Sequence, residues 1–149
     1  WQFRHLAEHP EDQAYLRANP SMMPNAVEEF LRVYAAVSLF RTCVKETEIR
    51  GVRVMPGDKV LMSTTLAGRD PSEYAKPNEV SFEHRAKHVS FGHGVHLCLG
   101  IHLARREMRI ALEEGLKILP PFSVKPGAAI PVNAGPVLQV IELPLVWET

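Results

Sequence analysis

Phe91-Gly92-His93-Gly94-Val95-His96-Leu97-Cys98-Leu99-Gly100 runs directly into a long helical pattern that opens at Ile101. The stretch sets one cysteine between a glycine-rich loop and a helix start. Unsatisfied backbone N–H groups and the positive end of the helix dipole gather there, and both favour a thiolate over a thiol. Gly92 and Gly94 permit positive φ and let the backbone approach a flat ligand closely. Gly100, two residues past Cys98, leaves room where a side chain would collide with such a ligand. Most free cysteines are small buried hydrophobes, and Cys43 reads as one of these. For Cys98 the glycine spacing and the helix behind it outweigh that reading. Metal binding is a second reading, because His93, His96, Cys98 and His102 are close in sequence and Cys98 and His102 stand one helical turn apart. Structural zinc sites usually carry two or more thiolates, whereas this group has one. A His/Cys zinc-binding module is therefore the minor alternative.

Outward from the loop, Ile101 to Leu119 carries the clearest helical period. Ile101, Ala104, Met108, Ala111, Leu112, Gly115, Leu116 and Leu119 form one apolar stripe, and Pro120-Pro121 ends it. Phe122 to Trp147 reads as strands separated by Pro and Gly. Upstream, Pro24 to Tyr34 is a helix with Val27, Phe30, Leu31 and Tyr34 on one face. Trp1 to Glu8 and Glu11 to Ala18 are shorter helical stretches divided by Pro10. Thr42-Cys43-Val44, Glu46 to Val54 (turning near Gly51) and Lys59 to Met62 read as strands, and Gly68 to Pro77 as a loop. The fold class is α+β, mainly helical, with small β-sheets.

The 149 residues, 46% apolar and 23% charged, suit one globular domain. Lys+Arg and Asp+Glu balance at 17 each, so no basic excess points to nucleic acid. No run of about 18 apolar residues suggests a membrane span. Two cysteines make no disulfide framework, which favours a reduced, cytoplasmic setting. The chain opens at Trp1 inside a helical pattern, as a fragment of a longer protein would.

Phe91-x-x-Gly94-x-His96-x-Cys98-x-Gly100, continued by Leu103-Ala104-Arg105, resembles the cysteine signature of the cytochromes P-450. Glu29-Phe30-Leu31-Arg32 looks like the Glu-x-x-Arg helix of that family, and Ala67-Gly68-Arg69-Asp70-Pro71 like the turn after its first sheet. The resemblance covers nearly the whole chain and is strongest to the soluble bacterial camphor hydroxylase group. It implies the C-terminal, haem-proximal part of the fold and haem b with an axial thiolate from Cys98. Such ligation pushes electron density onto iron and favours O–O cleavage, a general property of the family. Arg41 and His96 would face the haem propionates, a guanidinium matching a carboxylate with paired donors. Phe91, Gly92 and Gly100 would lie against the haem. Glu29 and Arg32 would form an internal ion pair joined by His84 or Arg85.

The implied reaction is insertion of one oxygen atom of O₂ into an apolar organic substrate, terpenoids among the candidates. Val37 and Val137 align with substrate contacts of the camphor-hydroxylase group. That group has Asp where this chain has Leu39, two residues before Arg41, which puts propionate bonding and substrate fit apart. The implied electron donor is an acidic iron–sulfur ferredoxin, met by Arg105, Arg106, Arg109, Lys87 and His88. The competing possibility is a non-catalytic fragment or the zinc module.

Overall fold

A computed structural model describes residues 1–83 and 85–148. Three helices open the chain: α1 (Gln2–Glu8), α2 (Pro10–Ala18) and α3 (Met23–Val33). Pro10 occupies the first position of α2. Its missing N–H costs nothing there, so it starts this helix as well as closing the one before. Strands β1 (Ser38–Thr42), β2 (Thr47–Ile49), β3 (Val52–Val54) and β4 (Lys59–Ser63) follow, then a single-turn helix α4 (Thr64–Ala67). The long helix α5 (Ile101–Ile118) precedes β5 (Phe122–Val124), β6 (Val132–Ala134), β7 (Leu138–Val140) and β8 (Leu145–Trp147).

The strands make four two-stranded antiparallel pairs: β1–β4, β2–β3, β5–β8 and β6–β7. The strand expected at Thr42-Cys43-Val44 lies earlier, at Ser38–Thr42, in a register that sets Ser38 opposite Ser63 and Arg41 opposite Val60. At Cys43 the ladder gives way to a turn, its N–H bonding to the Asp58 carbonyl. Cys43 is thus no core residue. It is half-buried, and its Sγ lies 2.9 Å from the Lys45 carbonyl oxygen.

The core forms where α1, α2 and α3 meet α5. Leu6, Leu16, Val27, Phe30, Phe82, Leu112, Leu116 and Phe122 are buried together. Two residues of the expected α5 stripe, Leu112 and Leu116, are fully enclosed, whereas Ala111 is exposed. Gly115 of α5 faces the Phe3 ring of α1. A Cβ there would sit 2.6 Å from Cζ of Phe3, so any larger residue would force that ring to move.

Candidate functional site

The cysteine loop owes its shape to left-handed backbone at Gly92 (φ 75°) and Gly94 (φ 70°). Gly92 N–H bonds to the Val89 carbonyl at 2.8 Å. A short 3₁₀ turn covers Gly94–His96, a feature the sequence reading did not resolve. The Cys98 N–H then reaches back to the Phe91 carbonyl at 2.9 Å and closes the loop on itself. α5 begins three residues on.

Cys98 is a free, exposed thiol. Its neighbours are exposed hydrophobes, Val95 at 97% and Leu99 at 101%, with Leu97 at half. So much apolar surface around one sulfur marks a site built to be covered. Gly100 has an ordinary φ of −83°, so conformation does not demand glycine there. Nor does local crowding, since a Cβ would lie 3.9 Å from Cys98 Sγ, an ordinary contact.

Beside the loop is an open cavity of about 440 Å³. Leu39, Arg41 and Met62 line it from β1 and β4, and Val89, Gly92, His93 and His96 from the loop side. Its charged or chargeable lining residues are Arg41, His93 and His96, and no carboxylate stands among them. Leu39 adds an apolar side chain to its wall. The Arg41 guanidinium donates to the Phe40 carbonyl and to no acidic side chain among the described residues. An apolar wall edged by one guanidinium and two imidazoles fits a flat, hydrophobic ligand with an anionic rim. Arg41, His96 and Gly92 therefore converge on one cavity. Cys98, Phe91 and Gly100 belong to the same loop but not to that wall.

Val37 and Val137 are 100 residues apart in sequence yet paired directly, across an isolated antiparallel bridge. Ser38 N–H to the Pro136 carbonyl (2.8 Å) and Leu138 N–H to the Ala36 carbonyl (2.7 Å) hold it. Both valines remain exposed.

Behind the loop lie two buried carboxylates. Glu29 and Arg32 form a two-pronged ion pair, with Nε to Oε2 at 2.8 Å and Nη2 to Oε1 at 2.7 Å. Donating these bonds to Glu29 raises the Arg32 pKa above its ordinary value despite burial. Backbone groups complete this pair. Arg32 donates to the carbonyls of Gly68, Pro77 and Glu79, and Ser81 N–H donates to Glu29. Arg85, expected as a third member, instead reaches Glu28 at 3.3 Å. With the Arg32 donors and a Glu29 oxygen taken by backbone, its guanidinium goes to the neighbouring acid. His84 lies outside the described residues.

Glu28 is the residue sequence reasoning missed. Arg105 donates to it twice, at 2.6 and 2.8 Å, and Nε2 of His88 lies 3.1 Å away. Burial pushes its carboxyl pKa up, but the bond and charge of Arg105, with Arg85 and His88, outweigh that and hold it below the ordinary value. Burial is the largest cause of the lowered His88 pKa. Arg105 also sits over the Phe91 ring, 5.0 Å from its centroid. Glu28 thus ties α3, α5 and the cysteine loop together. A signal was there: Arg105 is four residues from Ile101 and three from Met108, a charge set in the apolar stripe of α5.

This network changes the expected electron-donor face. His88 is buried, Arg105 is consumed by Glu28, and Arg109 pairs with Glu113 at 2.6 Å. Arg106 and Lys87 remain exposed. The zinc alternative also fails, since among the described residues no three of His93, His96, Cys98 and His102 come within ligand distance of one another.

The family model for cytochrome P-450 matches residues 3–142, and the chain belongs to that family. It is 40% identical over 144 residues to a probable cytochrome P-450 127A1 of Sinorhizobium fredii, spanning 96% of this chain and 35% of that protein. It is 39% identical to pentalenic acid synthase of Streptomyces avermitilis, over 95% of this chain and 36% of that one. The crystal structure of cytochrome P-450 CYP101C1 superimposes with a TM-score of 0.92 at 37% identity, covering 98% of this chain and 38% of that one. The chain therefore spans a little over a third of the relatives it matches, and its mixed fold is that part of theirs. Family membership implies a haem held by a cysteine thiolate. Among the described residues no helix is long and apolar enough to cross a membrane.

Proposed function

We propose that residues 1–149 are the haem-proximal, C-terminal part of a cytoplasmic haem-thiolate monooxygenase that adds one oxygen atom of O₂ to an apolar organic substrate. One observation carries the reading: an exposed Cys98, collared by apolar side chains at the head of α5, beside a carboxylate-free cavity edged by Arg41 and His96. Cys98 would hold haem b through its thiolate, and the bound haem would supply the oxygen activation. Arg41 and His96 would hydrogen-bond its propionates, and the apolar walls would keep water from it. Gly92 turns the loop through its positive φ, and Phe91, Gly92 and Gly100 would lie against the haem. Val37 and Val137, paired and exposed, offer adjacent apolar contacts to the substrate.

An acidic ferredoxin-type protein donates electrons across the surface bearing Lys87 and Arg106, whose positive charge steers its approach. Replacing Lys87 and Arg106 by Glu in the full-length protein should slow reduction and flatten its salt dependence. Equal rates at low salt would remove that surface from docking.

The reaction is tested by supplying the full-length protein with electrons, ¹⁸O₂ and a panel of terpenoids. One labelled oxygen per product is expected, with Val37→Phe and Val137→Phe altering which carbon carries it. Product without label would contradict the assignment.

A further inference from the structure

Away from the cysteine loop, one group of side chains has the composition of a metal site. His5 lies on α1, His9 is the linking residue that follows it, and Pro10 then opens α2, whose first turn carries Asp12. The joint folds Asp12 back on His5, with Nε2 of His5 2.6 Å from Oδ2 of Asp12. The two imidazoles stack, centroids 4.3 Å apart and planes 24° from parallel. One ligand atom from each residue lies within 4.8 Å of the other two, and among the described residues no other trio of such groups does so. Packing does not explain this. His5 is buried beside Leu6, Ala7 and the Phe30 ring, where an apolar side chain would need no partners at all.

We propose that His5, His9 and Asp12 bind a divalent transition-metal ion, zinc foremost, across the joint between α1 and α2. Imidazole nitrogen and carboxylate oxygen are donors zinc accepts, at ~2.0–2.2 Å. Three atoms at the observed spacing share a central point within about 2.8 Å of each. Small rotations of His9 and Asp12, both partly exposed, close the difference. His9 gives up little in turning, since its partner Glu11 is exposed and 3.3 Å away.

His5 is already prepared for ligation. Coordination through Nε2 places the ring proton on Nδ1, and ligating histidines ordinarily donate that proton to a nearby oxygen. The Tyr34 hydroxyl lies 2.7 Å from Nδ1. A hydroxyl both donates and accepts, so Tyr34 serves the free tautomer and the ligating one. Tyr34 caps α3, which couples the bound ion to the helix of Glu28 and Glu29.

Zinc alone is the probe. The chelator-stripped full-length holoprotein is titrated calorimetrically and its bound zinc counted after dialysis. The parent should bind one equivalent more than His9→Ala, and Asp12→Asn should weaken that equivalent at least about tenfold. Zinc should raise the melting temperature of the parent but not of His9→Ala, with the haem spectrum unchanged in both. His9 is half-exposed and Asp12→Asn is isosteric, so both variants keep the zinc-free fold. Identical stoichiometry and affinity in the parent and both variants would overturn the site. Loss of the equivalent on His93→Ala instead would move it to the cysteine loop and overturn it equally.

Discussion

Glu28→Ala isolates the network that fixes the cysteine loop. The substitution deletes the acceptor for two Arg105 bonds and leaves His88, 3% exposed, facing no carboxylate. Removing one member of a buried ion pair costs about 3–5 kcal/mol, chiefly through the charge left behind. Arg105 keeps 27% of its side-chain exposure and Arg85 65%, so both rehydrate in part. The loss belongs at the low end, about 3 kcal/mol, or roughly two orders of magnitude in the unfolding equilibrium. Urea unfolding of the full-length protein should show a midpoint about 1 M lower for a slope near 3 kcal/mol per molar. Glu28→Gln, which keeps one acceptor oxygen, should lie between. Acid should act in the same direction. The Glu28 carboxyl stays ionised below its unfolded pKa of 4.5, so its contribution is full above that value and lost as pH falls through the lower folded one. His88 takes its proton later folded than unfolded, so it too removes stability as pH falls below 6.5. Glu28→Ala should flatten the first of these losses. An unchanged midpoint at neutral pH would show that the network holds nothing.

Arg32→Ala strands Glu29 and should cost ~3–5 kcal/mol, read as lost folded yield and a lowered unfolding midpoint; parent-like stability would refute an internal role. Gly68→Ala drives a Cβ into the Arg32 carbonyl oxygen, and the backbone must shift by more than a side-chain adjustment can absorb. A loss of about 1–3 kcal/mol is expected in the same assay, as for other overpacked sites. Arg41→Leu should speed haem release to apomyoglobin without altering the axial ligand, and an unchanged release rate would take Arg41 out of the site.

Much of this fold was legible in the sequence because its signals are local. The apolar period of α5, Pro24 in the first turn of α3 and the turn near Gly51 each act within a few residues. The cysteine loop was legible for the same reason, since glycine positions encode its backbone. Pairings across the chain were not. Nothing near Val37 names Val137 as its partner, and β1 was misplaced because the β4 register, rather than local propensity, sets its ends. The Glu28 network was hidden by the same distance, and an arginine read as surface charge proved to be the partner of a buried acid. That single contact also reduces the electron-donor face, because a cation neutralised internally no longer steers a partner.

The spectrum of the reduced, carbonyl-bound full-length protein bears most directly on Cys98. The parent should show the red-shifted Soret band of a thiolate-ligated haem, and Cys98→Ser should lose that shift while Cys43→Ser keeps it. The same red-shifted band in Cys98→Ser, or its loss in Cys43→Ser, would contradict the assignment of Cys98 as the axial ligand.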